Sequence, residues 1–106
     1  MQFNNPYWSI KQKIEMLEKW LIIHSIIYYE LNTNIVSDYM FDMNAKQLLE
    51  YKKQYLDIFK QSKWYYIFKD FRTSGFYIFK KLKKEEQIKL LNEAQFLLKY
   101  INKKYK

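Results

Sequence analysis

One hundred and six residues make a single domain with a real but modest core. With 49% hydrophobic and 21% aromatic residues the chain is not disordered, and with no cysteine it has no disulfide, thiolate metal site or cysteine nucleophile. The formal charge of +8 is unevenly placed: residues 1–59 carry six lysines against seven acids, and residues 60–106 carry thirteen Lys or Arg against four acids, a net of +9.

The basic second half suits an acidic partner: nucleic acid, an anionic surface or an acidic protein. Arg72 is the single arginine. Guanidinium forks dominate base reading, so sequence-specific DNA recognition is disfavoured, and lysines at this density serve non-specific phosphate contacts or plain solubility. No apolar run approaches the roughly 18 residues that span a bilayer. The N-terminal MQFNNPYWS lacks a basic segment followed by an apolar one. These features predict a cytoplasmic protein with no membrane partner.

Residues 1–8 read as an arm with a turn at Asn5-Pro6. Ser9 is an N-cap candidate, because its hydroxyl can accept from an unpaired first-turn amide. From Ile10 the positions Ile14, Leu17, Leu21, His24, Tyr28 and Leu31 recur in steps of three and four, the period of a helix face. A first helix is expected over about 10–31. Trp20, Ile23 and Ile27 widen its stripe, so it is buried on more than one side. Asn32-Thr33-Asn34 stops it. Ser37 is the next N-cap candidate, with Asp38 in the first turn, where a negative charge favours the helix dipole. The second helix carries Phe41, Ala45, Leu48, Leu49, Tyr55 and Phe59, and so short a turn sets the two helices antiparallel.

Residues 60–63 break the pattern. WYYIFKDF, RTSG and FYIFKKL follow. Two aromatic, β-branched flanks around a short connection holding the sole glycine read as a β-hairpin over 64–82, with Gly75 supplying the positive φ of its turn. Such a hairpin must pack on the helices to be stable. A C-terminal helix is expected over 84–103, with Glu85 and Glu86 in its first turn and a stripe of Ile88, Leu91, Ala94, Leu98 and Ile101. The predicted fold class is α+β: an antiparallel helix pair, a β-hairpin and a C-terminal helix around one core.

Few residues carry chemistry. A lone glycine excludes a glycine-rich phosphate loop, and a lone histidine excludes multi-histidine metal sites and weakens a Ser-His-Asp arrangement. Asp38 and Asp42 share a helix face at a spacing of four, an arrangement met more often in a cap plus a solvated acid than in catalysis. No catalytic role and no metal site are expected. His24, on the apolar stripe, is either a buried histidine bonded across the helix pair or a ligand contact. Tyr28 and Tyr29 are either core aromatics with hydroxyls at the rim or part of the same site.

The stretch HSIIYYELNTNIVSDYMFD, His24 to Asp42, has the pattern His-x3-Tyr-Tyr, a short turn, then Ser-Asp-x2-aromatic-Asp. It resembles the N-terminal helical subdomain of NAD-dependent bacterial DNA ligases, which in that family recognises the nicotinamide mononucleotide half of NAD. The resemblance implies ring and ribose contacts at Tyr28 and Tyr29. It implies nucleotide contacts at Asp38 and Asp42, and a supporting histidine at His24. Phe41 stands where the family has a tyrosine and Asn34 where it has the turn proline, so one hydroxyl contact is missing. The likeness covers about residues 10–56. No Lys-x-Asp-Gly nucleotidyl-transfer motif is present, so the chain is expected not to be an enzyme, with NAD or nicotinamide mononucleotide at most a weak ligand.

Three functional expectations follow. The first is a non-catalytic accessory protein of the kind found in ligase-related phage and mobile-element genes, binding a protein partner such as a host defence effector, as anti-CRISPR inhibitors do. The second is a nicotinamide-nucleotide module built on His24, Tyr28, Tyr29, Asp38, Phe41 and Asp42. The third is non-specific nucleic-acid binding through a basic patch of Lys80, Lys81, Lys83, Lys84, Lys99, Lys103 and Lys104, with the hairpin aromatics as stacking platforms.

Overall fold

A computed structural model describes residues 8–71 and 78–105, with side chains described as far as Ile101. Helix α1 spans Ile10–Tyr29, α2 Asp38–Gln54, α3 Leu56–Phe59, α4 Tyr65–Phe68 and α5 Lys84–Tyr105, with a turn of 3-10 helix at Phe79–Lys81. Among the described residues there is no strand. The α+β expectation is therefore corrected to an all-helical domain.

Local chemistry sets the starts of the first two helices. Ser9 and Gln12 form a reciprocal capping box: the Gln12 amide donates to the Ser9 hydroxyl at 3.1 Å, and the Ser9 amide donates to the Gln12 side chain at 2.8 Å. The Ser37 hydroxyl accepts from the Met40 amide at 3.0 Å, which opens α2 with Asp38 in its first turn. Between them α1 unwinds in widened closures, Leu31 N–H to Ile26 O and Thr33 N–H to Ile27 O. Asn32 then takes the left-handed conformation, φ 54°, one of the few that asparagine tolerates well. Both helices expected here are present, α1 ending at Tyr29 and α2 at Gln54. Tyr55, at φ −130° and ψ 51°, interrupts the second helix before α3.

Helix α1 is the centre of the fold. It packs against α2, α3, the 3-10 turn and α5. That is why Ile14, Leu17, Leu21, Ile22, Ile23, Ile26 and Ile27 are all buried although they do not share one narrow stripe.

In the described parts of the hairpin expected over 64–82, residues 64–71 and 78–82, helical turns stand in place of strands. Trp64, Ile67, Phe68 and Phe71 are the buried side chains of the first flank. Their spacing of three, one and three is helical, whereas a strand would bury every second residue. The Phe68 and Lys69 amides close back on the carbonyls of Trp64 and Tyr65, respectively. On the second flank Ile78 and Leu82 are buried around the 3-10 turn. Aromatic, β-branched composition suggests a strand only when nothing else satisfies the backbone, and here the core offers a surface that two short turns fill. The turn placed at Gly75 and all but Trp8 of the arm over 1–8 lie outside the described residues.

Two hydrogen bonds anchor this segment to the start of α5. The Trp64 indole donates to Glu86 Oε2 at 3.0 Å and the Tyr66 hydroxyl to Glu86 Oε1 at 2.6 Å. Burial, with the bond to Glu86, pushes the Tyr66 phenol up to about 12. Helix α5 buries Leu90 and Ala94, with Leu91 and Leu97 partly covered. The expected stripe is thus rotated, and Ile88 is 60% exposed. Among the described residues no helix is long and apolar enough to cross a membrane.

Candidate functional site

The end of α1, the 30–37 turn and the start of α2 enclose an open cleft of about 300 Å³. His24, Tyr28, Tyr29, Asp38, Phe41 and Asp42 all line it. Helix α1 presents His24 and Tyr28 one turn apart, and its end at Tyr29 lets the next residue wrap round the same rim. Asp38 and Asp42 come from one face of α2, placed by the Ser37 cap. Ser25, Asn34, Ile35, Val36 and Ser37 complete the lining. Of these, Ser25 was not singled out by the sequence, where a serine inside an apolar helix carries no signal of its own.

The floor is aromatic and the mouth acidic. His24 is 8% exposed and lies against Trp20, ring centroids 4.3 Å apart, and Trp20 in turn lies 6.0 Å from Phe41. Burial lowers the His24 imidazole from 6.5 to about 4, so it is neutral at pH 7. Its Nδ1 is buried with no hydrogen-bond partner. The bond across the helix pair, one of the two sequence readings for His24, is not made through that atom. Tyr28 and Tyr29 meet edge-to-face at 4.9 Å and are 53% and 45% exposed, so they form a rim and do not belong to the core. Among the described residues no lysine or arginine lines the cleft, while both its aspartates are exposed. A flat group carrying positive charge is what such a surface attracts.

The basic patch is not one cluster. Lys80, Lys81, Lys83 and Lys84 are exposed around the start of α5, and Lys83 lies over the Tyr66 ring at 5.3 Å. Lys99 sits fifteen residues along the helix from Lys84, about 22 Å at 1.5 Å per residue. Lys103 and Lys104 continue α5, and their side chains are outside those described. Of the hairpin aromatics offered as stacking platforms, Trp64, Phe68 and Phe71 are core residues, Tyr65, Tyr66 and Phe79 are half-buried, and Phe76 and Tyr77 lie outside the described residues.

Comparison with protein-family models, curated proteins and solved structures finds no match to this chain.

Proposed function

We propose that the chain is a binding module and that the cleft between α1 and α2 takes the nicotinamide end of a nucleotide such as NAD or nicotinamide mononucleotide. The observation that carries this reading is the convergence of His24, Tyr28, Tyr29, Asp38, Phe41 and Asp42 on one cleft. The likeness to the ligase subdomain supplies the ligand class.

The surface chemistry agrees with that class. Oxidised nicotinamide is a flat pyridinium cation. Tyr28, Tyr29 and Phe41 offer ring faces and edges, and cation–π attraction adds on the order of 0.5–2 kcal/mol. Asp38 and Asp42 complement the charge. The neutral His24 does not oppose it. Among the described residues the lining offers no lysine or arginine to a phosphate, which favours the ring and ribose as the recognised parts.

Titration calorimetry tests the reading. NAD, nicotinamide mononucleotide and nicotinamide riboside bind, the riboside at least as tightly as the mononucleotide, and NADH binds more weakly because its ring is uncharged. Asp42→Asn weakens the oxidised ligands roughly tenfold or more, the usual cost of losing a charged partner. Absence of heat at millimolar concentrations of all three oxidised ligands would end this reading.

A further inference from the structure

The outer face of α5 has a composition of its own. Opposite the buried Leu90 and Ala94, three large residues are exposed: Ile88, Phe96 at 73% and Tyr100 at 51%. Lys89, Asn92, Gln95 and Lys99 are exposed between them. At 3.6 residues per turn Lys89, Asn92, Phe96, Lys99 and Tyr100 fall on one stripe, about 16 Å long at 1.5 Å per residue. A shallow, mostly apolar groove of about 420 Å³ borders it, lined by Lys19, Ile23, Asn92, Glu93, Phe96 and Leu97. Two acids flank the stripe: Glu93, which faces that groove in an ion pair with Lys19 at 3.4 Å, and Glu85, exposed one turn before Lys89. Lys80, Lys81, Lys83 and Lys84 are exposed beyond the N-terminal end of the stripe.

We propose that this stripe binds single-stranded nucleic acid, with Phe96 and Tyr100 as stacking platforms for bases and Lys89 and Lys99 as phosphate contacts. Aromatic rings interleaved with point charges are the surface that tracks a single strand without reading its sequence, because every base has a π-face and every nucleotide a phosphate. The stripe is long enough for more than one base at about 3.4 Å each along a strand. Charge decides between occupants. A second copy would bring two halves of net +9 together, which mutual repulsion opposes. A bilayer surface needs a continuous apolar face, and here Asn92 and Gln95 interrupt it. Duplex DNA hides its ring faces in the stack. The proposal is independent of the cleft, in which none of these residues takes part.

The test is fluorescence anisotropy with a short fluorescein-labelled oligo(dT) at about 50 mM salt, a concentration at which phosphate contacts are strong. Saturable binding is expected, with duplex competing poorly. Phe96→Ala weakens it roughly tenfold. The double variant Lys89→Gln, Lys99→Gln lowers the log–log salt slope by about 1.4, two contacts at about 0.7 each. Both variants keep the parent's circular dichroism and melting temperature, since the replaced side chains are exposed. Absent binding, or binding that Phe96→Ala leaves unchanged, overturns the proposal. So does either of two substitutes seen without oligonucleotide binding: capture by phosphatidylserine vesicles, or self-association in sedimentation, in each case lost in Phe96→Ala.

Discussion

Between pH 6.5 and about 8 the folded chain loses about 2 kcal/mol of stability, and Glu18→Gln abolishes the loss. Glu18 is fully buried beside α3 and the 60–64 turn. Burial raises its carboxyl from 4.5 to about 8, against the opposing pull of hydrogen bonds from Ser62 and the Trp64 amide, while nearby Glu15 adds to the rise. Hydrogen-bond counting agrees. The Ser62 hydroxyl lies 2.8 Å from both Glu18 Oε2 and the Phe59 carbonyl, and it has one hydrogen to give. Both contacts are satisfied when a protonated Glu18 donates to Ser62 and Ser62 donates to Phe59.

The sign follows from proton counting. Across pH 4.5 to about 8 the folded chain keeps a proton on Glu18 that the unfolded chain has released. This contribution is complete below 4.5 and lost as pH rises to about 8. His24 runs the other way: its stabilisation is complete above 6.5 and lost as pH falls to about 4. From 4.5 to 6.5 the two slopes cancel, and above 6.5 only Glu18 acts, at about 1.4 kcal/mol per pH unit. Tyr66 titrates too high to enter this window. Urea unfolding followed by tryptophan fluorescence should give a plateau, then an alkaline decline. Glu18→Gln, neutral and nearly isosteric, should be flat above pH 6.5 and, with His24 no longer opposed, should rise with pH below it. A parent curve that rises between pH 6.5 and 8, or a variant that declines with it, contradicts a protonated Glu18.

Replacing Phe68 by alanine costs roughly 3–5 kcal/mol, and Ile67→Ala costs roughly 2–5 kcal/mol. Both side chains are fully buried, Phe68 against Phe71 at 5.1 Å between ring centroids. The pair is diagnostic. Neighbours in a strand point to opposite faces, so one of the two would be tolerated if the segment were a hairpin with one open face. In a helical turn on the core both are needed. Lys69→Gln, on the exposed side, should change stability by no more than about 0.5 kcal/mol. Against a typical net stability of about 5–15 kcal/mol, either core loss is large. Chemical denaturation of the three variants decides it: a mild effect at Ile67 or Phe68 would restore the strand register.

How much was legible depended on sequence distance. Ser9 with Gln12 and Ser37 with Met40 are contacts three residues apart, so both caps could be read directly. The six cleft residues lie within nineteen positions on one helical hairpin, so their meeting follows from a short turn and the helix period. In residues 64–71 composition and spacing disagree: the aromatic, β-branched content points to a strand, while Trp64, Ile67, Phe68 and Phe71 have the helical rhythm that the fold adopts. Glu18 gave no sign, since an acid among apolar residues reads as solvated. Its burial needs Ser62, forty-four residues away, to fold over it.

By itself the sequence determined one all-local unit, two capped helices joined by a turn that gathers an imidazole, two phenols and two carboxylates. Local hydrogen bonds and a 3.6-residue period suffice for that. Only the tertiary structure decided that α1 is enclosed on several sides, that residues 64–71 and 78–82 complete the core as turns, and that α5 turns Phe96 and Tyr100 outward. Those outcomes depend on which apolar surfaces compete for the same partner. That competition is settled by long-range packing, which no short stretch of chain encodes.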